Sequence, residues 1–201
     1  MNYSEKDILQ LIATKDSKRY GLVFRLYGER VKTYIFRVVS IKEDAEELLQ
    51  NTFVSAFRHL DDYDRNRASL QTWITYIATN EIRAYYRHRQ KATFVSLDDE
   101  NQHCTISSDD EVDMWLNDTR EQRIDTLMKA IKLLSADEQM LIQLYYTDQQ
   151  PLRDIAYILD EEHSDLPSDI RKVENRLAKR LQRIRMKLCA YMIKMKEDGK
   201  E

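Results

Sequence analysis

The densest chemistry in the sequence lies near its C-terminus. Between residues 171 and 187 stand eight Lys or Arg and a single acid, Glu174. Arg171, Lys172, Asn175, Arg176, Lys179, Arg180 and Arg183 surround a stripe of Ile170, Val173, Leu177 and Leu181 at helical spacing. Such a helix suits a major groove, where Arg and Asn read base edges and Lys neutralises phosphates. The competing reading is a solvated basic face on a packed helix. A second cationic run contains Arg83, Tyr85, Tyr86, Arg87, His88, Arg89 and Lys91. Rings interleaved with cations suit single-stranded or distorted DNA, because rings stack on bases while cations hold phosphates. Its plainer reading is a helix C-terminus whose cations complement the dipole.

Other chemistries find no support. His59, His88, His103 and His163 form no i, i+4 pair, and none stands at metal-ligand spacing from Cys104 or Cys189. His103 and Cys104 are adjacent, which is poor ligand geometry. No Ser/His/Asp set or opposed carboxylate pair stands out, and Glu46-Glu47 belongs to a helix surface. With 3 Gly in 201 residues there is no glycine-rich loop to cradle a phosphate. The reading is therefore a binding protein, not an enzyme, with no metal and no cofactor.

The elements that must position these residues are helices. Ser4 precedes a short helix with Ile8, Leu9, Leu11 and Ile12. Ser17 is a candidate cap for a helix turning Tyr20, Val23, Phe24, Tyr27, Val31, Tyr34, Ile35 and Val38 inward. Ser40-Ile41-Lys42-Glu43 reads as a capping box. The helix after it buries Ala45, Leu48, Leu49, Thr52, Phe53, Ala56, Phe57 and Leu60, and shows Glu46, Glu47, Gln50, Asn51 and Arg58 outward. Asp61 to Arg67 is polar loop, and Ser69 caps a helix carrying Leu70, Trp73, Ile74, Ile77 and Ala78 to about Lys91. The second block has Ile124, Leu127, Met128, Ile131 and Leu134 on one stripe. A capping box at Ser135-Ala136-Asp137-Glu138 then leads into Leu141, Leu144 and Tyr145. Pro151 and Pro167 open the last two helices.

Between the blocks, residues 92–119 hold eight acids and no Lys or Arg, and helical periodicity is lost. A structureless stretch of that length reads as a linker. The expected organisation is all-α: a helical domain over 1–91, an acidic flexible linker over 92–119, and a helix-turn-helix domain over 120–201. The 2 Pro and 3 Gly leave too few turns for a many-stranded sandwich or barrel. Net charge is −3, so the basic segments are local features and the chain is no polycation. No apolar run approaches the ~20 residues of a membrane span, the N-terminus lacks a signal peptide's apolar core, and the two cysteines form no framework. The expectation is a cytoplasmic protein with no membrane insertion.

Several segments, in this order, resemble the extracytoplasmic-function sigma factors, dissociable promoter-recognition subunits of bacterial RNA polymerase. Asp44-Ala45-Glu46-Glu47-Leu48-Leu49-Gln50-Asn51-Thr52-Phe53 resembles their core-binding helix. Leu70 to Asn80 resembles the helix that ends in their Ala-Arg-Asn motif, with Thr79 in the middle place. Leu134 to Glu138, Leu144-Tyr145-Tyr146, Asp154-Ile155-Ala156 and Val173 to Leu177 follow the family's fourth region. The likeness covers roughly 20–91 and 120–190. Asp160 to Pro167 makes a longer turn than the family's, Glu174 stands where Lys is frequent, and Ala84 where Asp is frequent.

The resemblance implies roles. Asp44, Glu47, Gln50 and Asn51 would meet the β′ clamp of core RNA polymerase, with the β subunit a further contact. Asn80 and the loop containing Tyr63, Arg65 and Arg67 would hold a base flipped from the −10 element of promoter DNA. Arg83, Tyr86, Arg87 and Lys91 would hold the neighbouring backbone, while Trp73 belongs to the core. Arg171, Lys172, Asn175, Arg176, Lys179 and Arg180 would read the −35 element. The linker would thread the polymerase's RNA path. An anti-sigma factor that sequesters the free chain or holds it closed is the further partner implied. The alternative is a stand-alone helix-turn-helix regulator, which would protect two half-sites one DNA turn apart.

Overall fold

The computed structural model describes residues 5–92, 119–159 and 170–198. These are helical throughout, with short connections. We number the α-helices α1 (Glu5–Ala13), α2 (Lys18–Val38), α3 (Lys42–Arg58), α4 (Leu70–Ala92), α5 (Arg120–Lys132), α6 (Ala136–Ile142), α7 (Leu152–Leu159) and α8 (Ile170–Asp198). A 3-10 turn, Leu60–Asp62, follows α3, and a π-helical turn, Gln143–Thr147, extends α6. Ser4 and Pro167, assigned above to helix starts, lie outside the described residues, as do most of the linker and the turn between α7 and α8.

Local signals account for several boundaries. Ser135 accepts from the Glu138 amide while the Glu138 side chain accepts from the Ser135 amide, the reciprocal box expected. Thr119 and Gln122 make a second such box at α5. Ser69 Oγ accepts from the Thr72 amide at 3.1 Å. Two expected caps are absent. The Ser17 side chain makes no cap bond; Asp16 Oδ1 takes the Lys18 amide instead, at 2.8 Å. Ser40 is displaced because the chain stays extended through Ile41, which becomes the N-cap of α3. There Glu43 and Asp44 in the first turn complement the dipole instead.

Helices α2, α3 and α4 pack on one another, with α1 against α2. Their core holds Ile8, Val23, Val31, Ile35, Ala45, Leu60, Ile74 and Ile82. Arg19 is buried as well, with Asp61 Oδ1 2.8 Å from its guanidinium, which fastens the start of α2 to the 3-10 turn. Phe24, expected inward, is 51% exposed, its ring edge-on to Phe53. In the second block α8 packs on α5, α6 and α7 through Val173, Leu177, Leu181, Ile184 and Leu188. The expected stripe holds only at its C-terminal end: Leu134 is buried and Ile131 half-buried, whereas Ile124 and Met128 are about half exposed and Leu127 is exposed; within α5 itself only Ala130 is buried. Tyr145 is likewise exposed. The blocks touch where α4 lies against α7 and α6, and α2 against α6.

Inside the first block, Tyr34 Oη and Thr79 Oγ1 are 2.9 Å apart, both buried. Thr79 spends its proton on the Thr75 carbonyl, so Tyr34 is the donor between them. Burial pushes the Tyr34 phenol well above its usual pKa. The unfolded chain ionises this group near pH ~10, whereas the folded chain keeps it neutral. Its contribution is thus complete below that pH and declines as pH rises beyond it. Tyr34→Phe is expected to lower unfolding free energy by ~1 kcal/mol in urea at neutral pH and to flatten the loss of stability above pH ~10. Gly21 is an exposed helical glycine with nothing within 4 Å of an added Cβ. Gly21→Ala is expected to raise stability by ~0.5–1 kcal/mol in the same melts.

Candidate nucleic-acid and partner interfaces

Three surfaces carry the residues singled out from the sequence. The first is the outer face of α3. Glu46, Glu47, Gln50, Asn51 and Arg58 are exposed there, as their spacing requires, while Ala45, Leu48, Thr52, Phe53 and Ala56 face inward. Asp44 sits differently. Its carboxylate accepts from Tyr85 Oη at 2.7 Å and lies 3.5 Å from the Arg89 guanidinium, so it also ties α3 to α4. Arg89 in turn donates to Tyr85 Oη. Burial, then the bond to Asp44, pushes the Tyr85 phenol up. In the sequence Tyr85 and Arg89 stand only as part of a basic-aromatic run; the Tyr85–Asp44 bond spans 41 residues and leaves no local trace.

The second surface is α4 with the loop before it. Tyr63 is half-buried, its hydroxyl donating to the Ala68 carbonyl at 3.0 Å and its ring 5.4 Å from Trp73. That bond closes the loop on itself and holds Arg65 and Arg67 at the exposed rim. Asn80 is half-buried one residue beyond the Tyr34–Thr79 bond. Tyr86 Oη donates to the Val38 carbonyl at 2.8 Å, anchoring α4 to the end of α2. Arg87 is exposed, and Lys91 belongs to the last turn of α4. Arg83 stands apart: its side chain is turned into the seam with the second block.

The third surface is α8. Arg171, Lys172, Asn175, Arg176 and Lys179 are exposed and Arg180 half-exposed, all off the stripe that packs inward. A groove of about 280 Å³ runs between α7 and α8, floored by Ala156, Leu159, Val173 and Leu177 and bordered by Arg176, Arg180 and Arg183. Arg183 belongs with the basic set on this geometry, as its seven-residue spacing from Arg176 already signalled.

Among the described residues no group of three or more His, Cys, Asp or Glu is arranged to hold a metal ion, and no helix is long and apolar enough to cross a membrane. His103 and Cys104 lie outside those residues.

The family model described as Sigma-70 region 2 matches residues 23–92, from α2 to the end of α4. RNA polymerase sigma factor YlaC of Bacillus subtilis (strain 168) is 26% identical over 163 residues, which is 81% of this chain and 92% of that protein. ECF RNA polymerase sigma factor SigM of the same organism is 29% identical over 76 residues, 38% of this chain and 45% of that one. The chain is similar to extracytoplasmic-function sigma factors of the sigma-70 family. Its fold is shared with solved structures. CnrH in complex with the cytosolic domain of CnrY aligns at TM-score 0.58 and 19% identity, covering 92% of this chain and 95% of that one. The sigma factor RpoE in complex with the anti-sigma factor NepR, from Bartonella quintana, aligns at TM-score 0.52 and 21% identity, covering 83% and 96%.

Within this chain the Tyr63–Ala68 bond is the tether of the loop that carries Arg65 and Arg67. Tyr63→Phe is expected to cost ~0.5–1.5 kcal/mol and to raise amide exchange selectively between Asp64 and Ser69, measured by hydrogen–deuterium mass spectrometry, with the rest of α4 unchanged.

Proposed function

We propose that the chain is a dissociable sigma factor that joins core RNA polymerase, engages the −35 and −10 elements of promoter DNA and promotes melting for initiation. The observation that carries this is the separation of charge on one short chain. An acidic, amide-bearing face on α3 is suited to a partner protein, and a basic face on α8 is suited to duplex DNA. Between them, α4 combines aromatics with cations suited to unpaired strands.

In this reading Asp44, Glu47, Gln50 and Asn51 meet the polymerase β′ clamp, and the second domain meets the β subunit. Tyr63, Arg65, Arg67 and Asn80 hold a flipped −10 base; extrusion costs a few kcal/mol, so recognition and opening are one event. Arg83, Tyr86, Arg87 and Lys91 follow the adjoining backbone. Arg171, Lys172, Asn175, Arg176, Lys179 and Arg180 read the −35 element from a helix-turn-helix of α7 and α8, within a domain over 120–201. The first domain covers 1–91, and the linker over 92–119 passes through the polymerase. The chain carries no catalytic activity of its own, uses no cofactor, and works in the cytoplasm where polymerase and DNA are. An anti-sigma factor is its further partner, as the complexed states of the similar CnrH and RpoE suggest.

The test is co-elution with bacterial core polymerase on a sizing column. Glu47→Lys and Gln50→Lys are better probes than a change at Asp44, because both side chains are exposed, whereas Asp44 also bonds Tyr85. The native chain is expected to co-elute and the double variant to run free with unchanged circular dichroism. Failure of the native chain to bind core, with a two-half-site footprint on DNA alone, would replace this reading by the stand-alone regulator. In the holoenzyme, Lys179→Ala is expected to reduce the salt slope of promoter binding by about 1.

A further inference from the structure

A polar cleft of about 560 Å³ opens between α2, the start of α4 and the loop that follows the π-helical turn. That volume lies within the ~300–1,000 Å³ of small-molecule sites. Every lining side chain carries a polar group, and their hydrogen-bonding roles are divided. Thr33 Oγ1 donates to the Glu29 carbonyl at 2.8 Å, and Thr75 Oγ1 to the Gln71 carbonyl at 2.9 Å. Tyr34 Oη gives its proton to Thr79. A hydroxyl has one proton, so all three oxygens line the cleft as acceptors only. Asp148 adds a carboxylate, which accepts from Gln143 Nε2 at 3.0 Å.

Donors stand beside these acceptors. Arg37 makes no hydrogen bond or ion pair among the described residues, so its guanidinium is uncommitted. Arg30 is committed: it donates to Gln71 Oε1, which leaves the Gln71 amide N–H groups to donate. Gln149 and Gln150 bring two more amides. Gln149 has φ 49°, a left-handed backbone that is costly for a residue with a Cβ, just past the π-helical turn. Both irregularities are of kinds that collect at ligand sites. Desolvation pushes the Asp148 carboxyl above its ordinary range, against the Gln143 bond and the pull of Arg37 and Arg30. This wall is therefore already partly stripped of water.

We propose that the cleft binds a small sugar monophosphate, its phosphate on Arg37 and its hydroxyls on Thr33, Tyr34, Thr75 and Asp148. The reading does not depend on the function proposed above. Inorganic phosphate is mainly an acceptor and leaves the oxygen-lined side unmet. An ammonium would meet those oxygens, but beside two guanidinium charges. Sugar hydroxyls donate without bringing charge. One phosphate matches the one uncommitted guanidinium, through the charge-assisted bonds that Arg makes best. A nucleobase finds no ring to stack on, because Tyr34 is the one aromatic among the described lining residues and is buried.

The full chain is titrated by calorimetry at constant ionic strength with inorganic phosphate, glucose and glucose 6-phosphate. Glucose 6-phosphate is expected to bind about tenfold more tightly than either of the other two. Arg37→Ala is expected to weaken it about tenfold, and Gln150→Ala and Asp148→Asn about threefold each. Arg25→Ala makes the same charge change at an exposed position on the opposite side of α2 and is expected to match wild type. Circular dichroism of each variant shows whether the helices are intact. Glucose 6-phosphate binding no tighter than phosphate, or not at all, overturns the proposal. So does equal weakening by Arg25→Ala, which assigns the effect to net charge. Weakening by Arg37→Ala with none from Gln150→Ala or Asp148→Asn puts the ligand on α2 alone and overturns the cleft as its site.

Discussion

Everything in this molecule depends on α4 being held from two sides at once. On one side its buried threonines are satisfied within the helix and by α2: Thr75 and Thr79 bond carbonyls four residues back, and Tyr34 bonds Thr79. Buried hydroxyls in such a chain are tolerable only because each has its partner. Their geometry leaves little rotational freedom to the helix, so Asn80, Arg83, Tyr86 and Arg87 project where they do. On the other side α7 and α6 lie along the same helix. A helix buried on two faces must distribute its polar residues among neighbours, and α4 does so with Thr72, Tyr76 and Arg83 at the seam and Tyr85 and Tyr86 towards α3 and α2.

This arrangement gives single residues two structural addresses. Asp44 belongs by spacing to the exposed acidic face of α3, yet it accepts from Tyr85 of α4. The α3 surface and the α4 surface are therefore mechanically joined by a bond of the charge-assisted kind, which is the stronger class. A partner that pulls on Asp44 would shift Tyr85 and, through it, Arg89. Coupling of that sort needs no long pathway, since the groups touch.

What could be read in the sequence was what local physics controls. Ser135 with Glu138, Ser69, and the inward stripes of α3 and α8 follow from period and capping chemistry, and they stand where expected. Ser17 and Ser40 had the right residue type, but each lost the cap to the local path of the chain: Asp16 reaches the free amide first, and Ile41 remains extended. The α5 stripe shows a different limit. Periodicity reveals that Ile124, Leu127 and Met128 share a face, not that another part of the same chain covers it, and here α8 covers only the end near Ala130. Arg83 shows the hardest limit. Its partners lie 54 and 76 residues away, and no local pattern separates a cation reserved for DNA from one closed against a carboxylate.

The two basic surfaces are consequently unequal. Arg171, Lys172, Asn175, Arg176 and Lys179 on α8 stand exposed, whereas Arg83 on α4 is turned inward. Electrostatic attraction, which is long-ranged and tolerant of geometry, acts on the exposed α8 cations without any rearrangement. A contact through Arg83, which needs defined donors at short range, requires its bonds to Asp137 and the Leu159 carbonyl to break first.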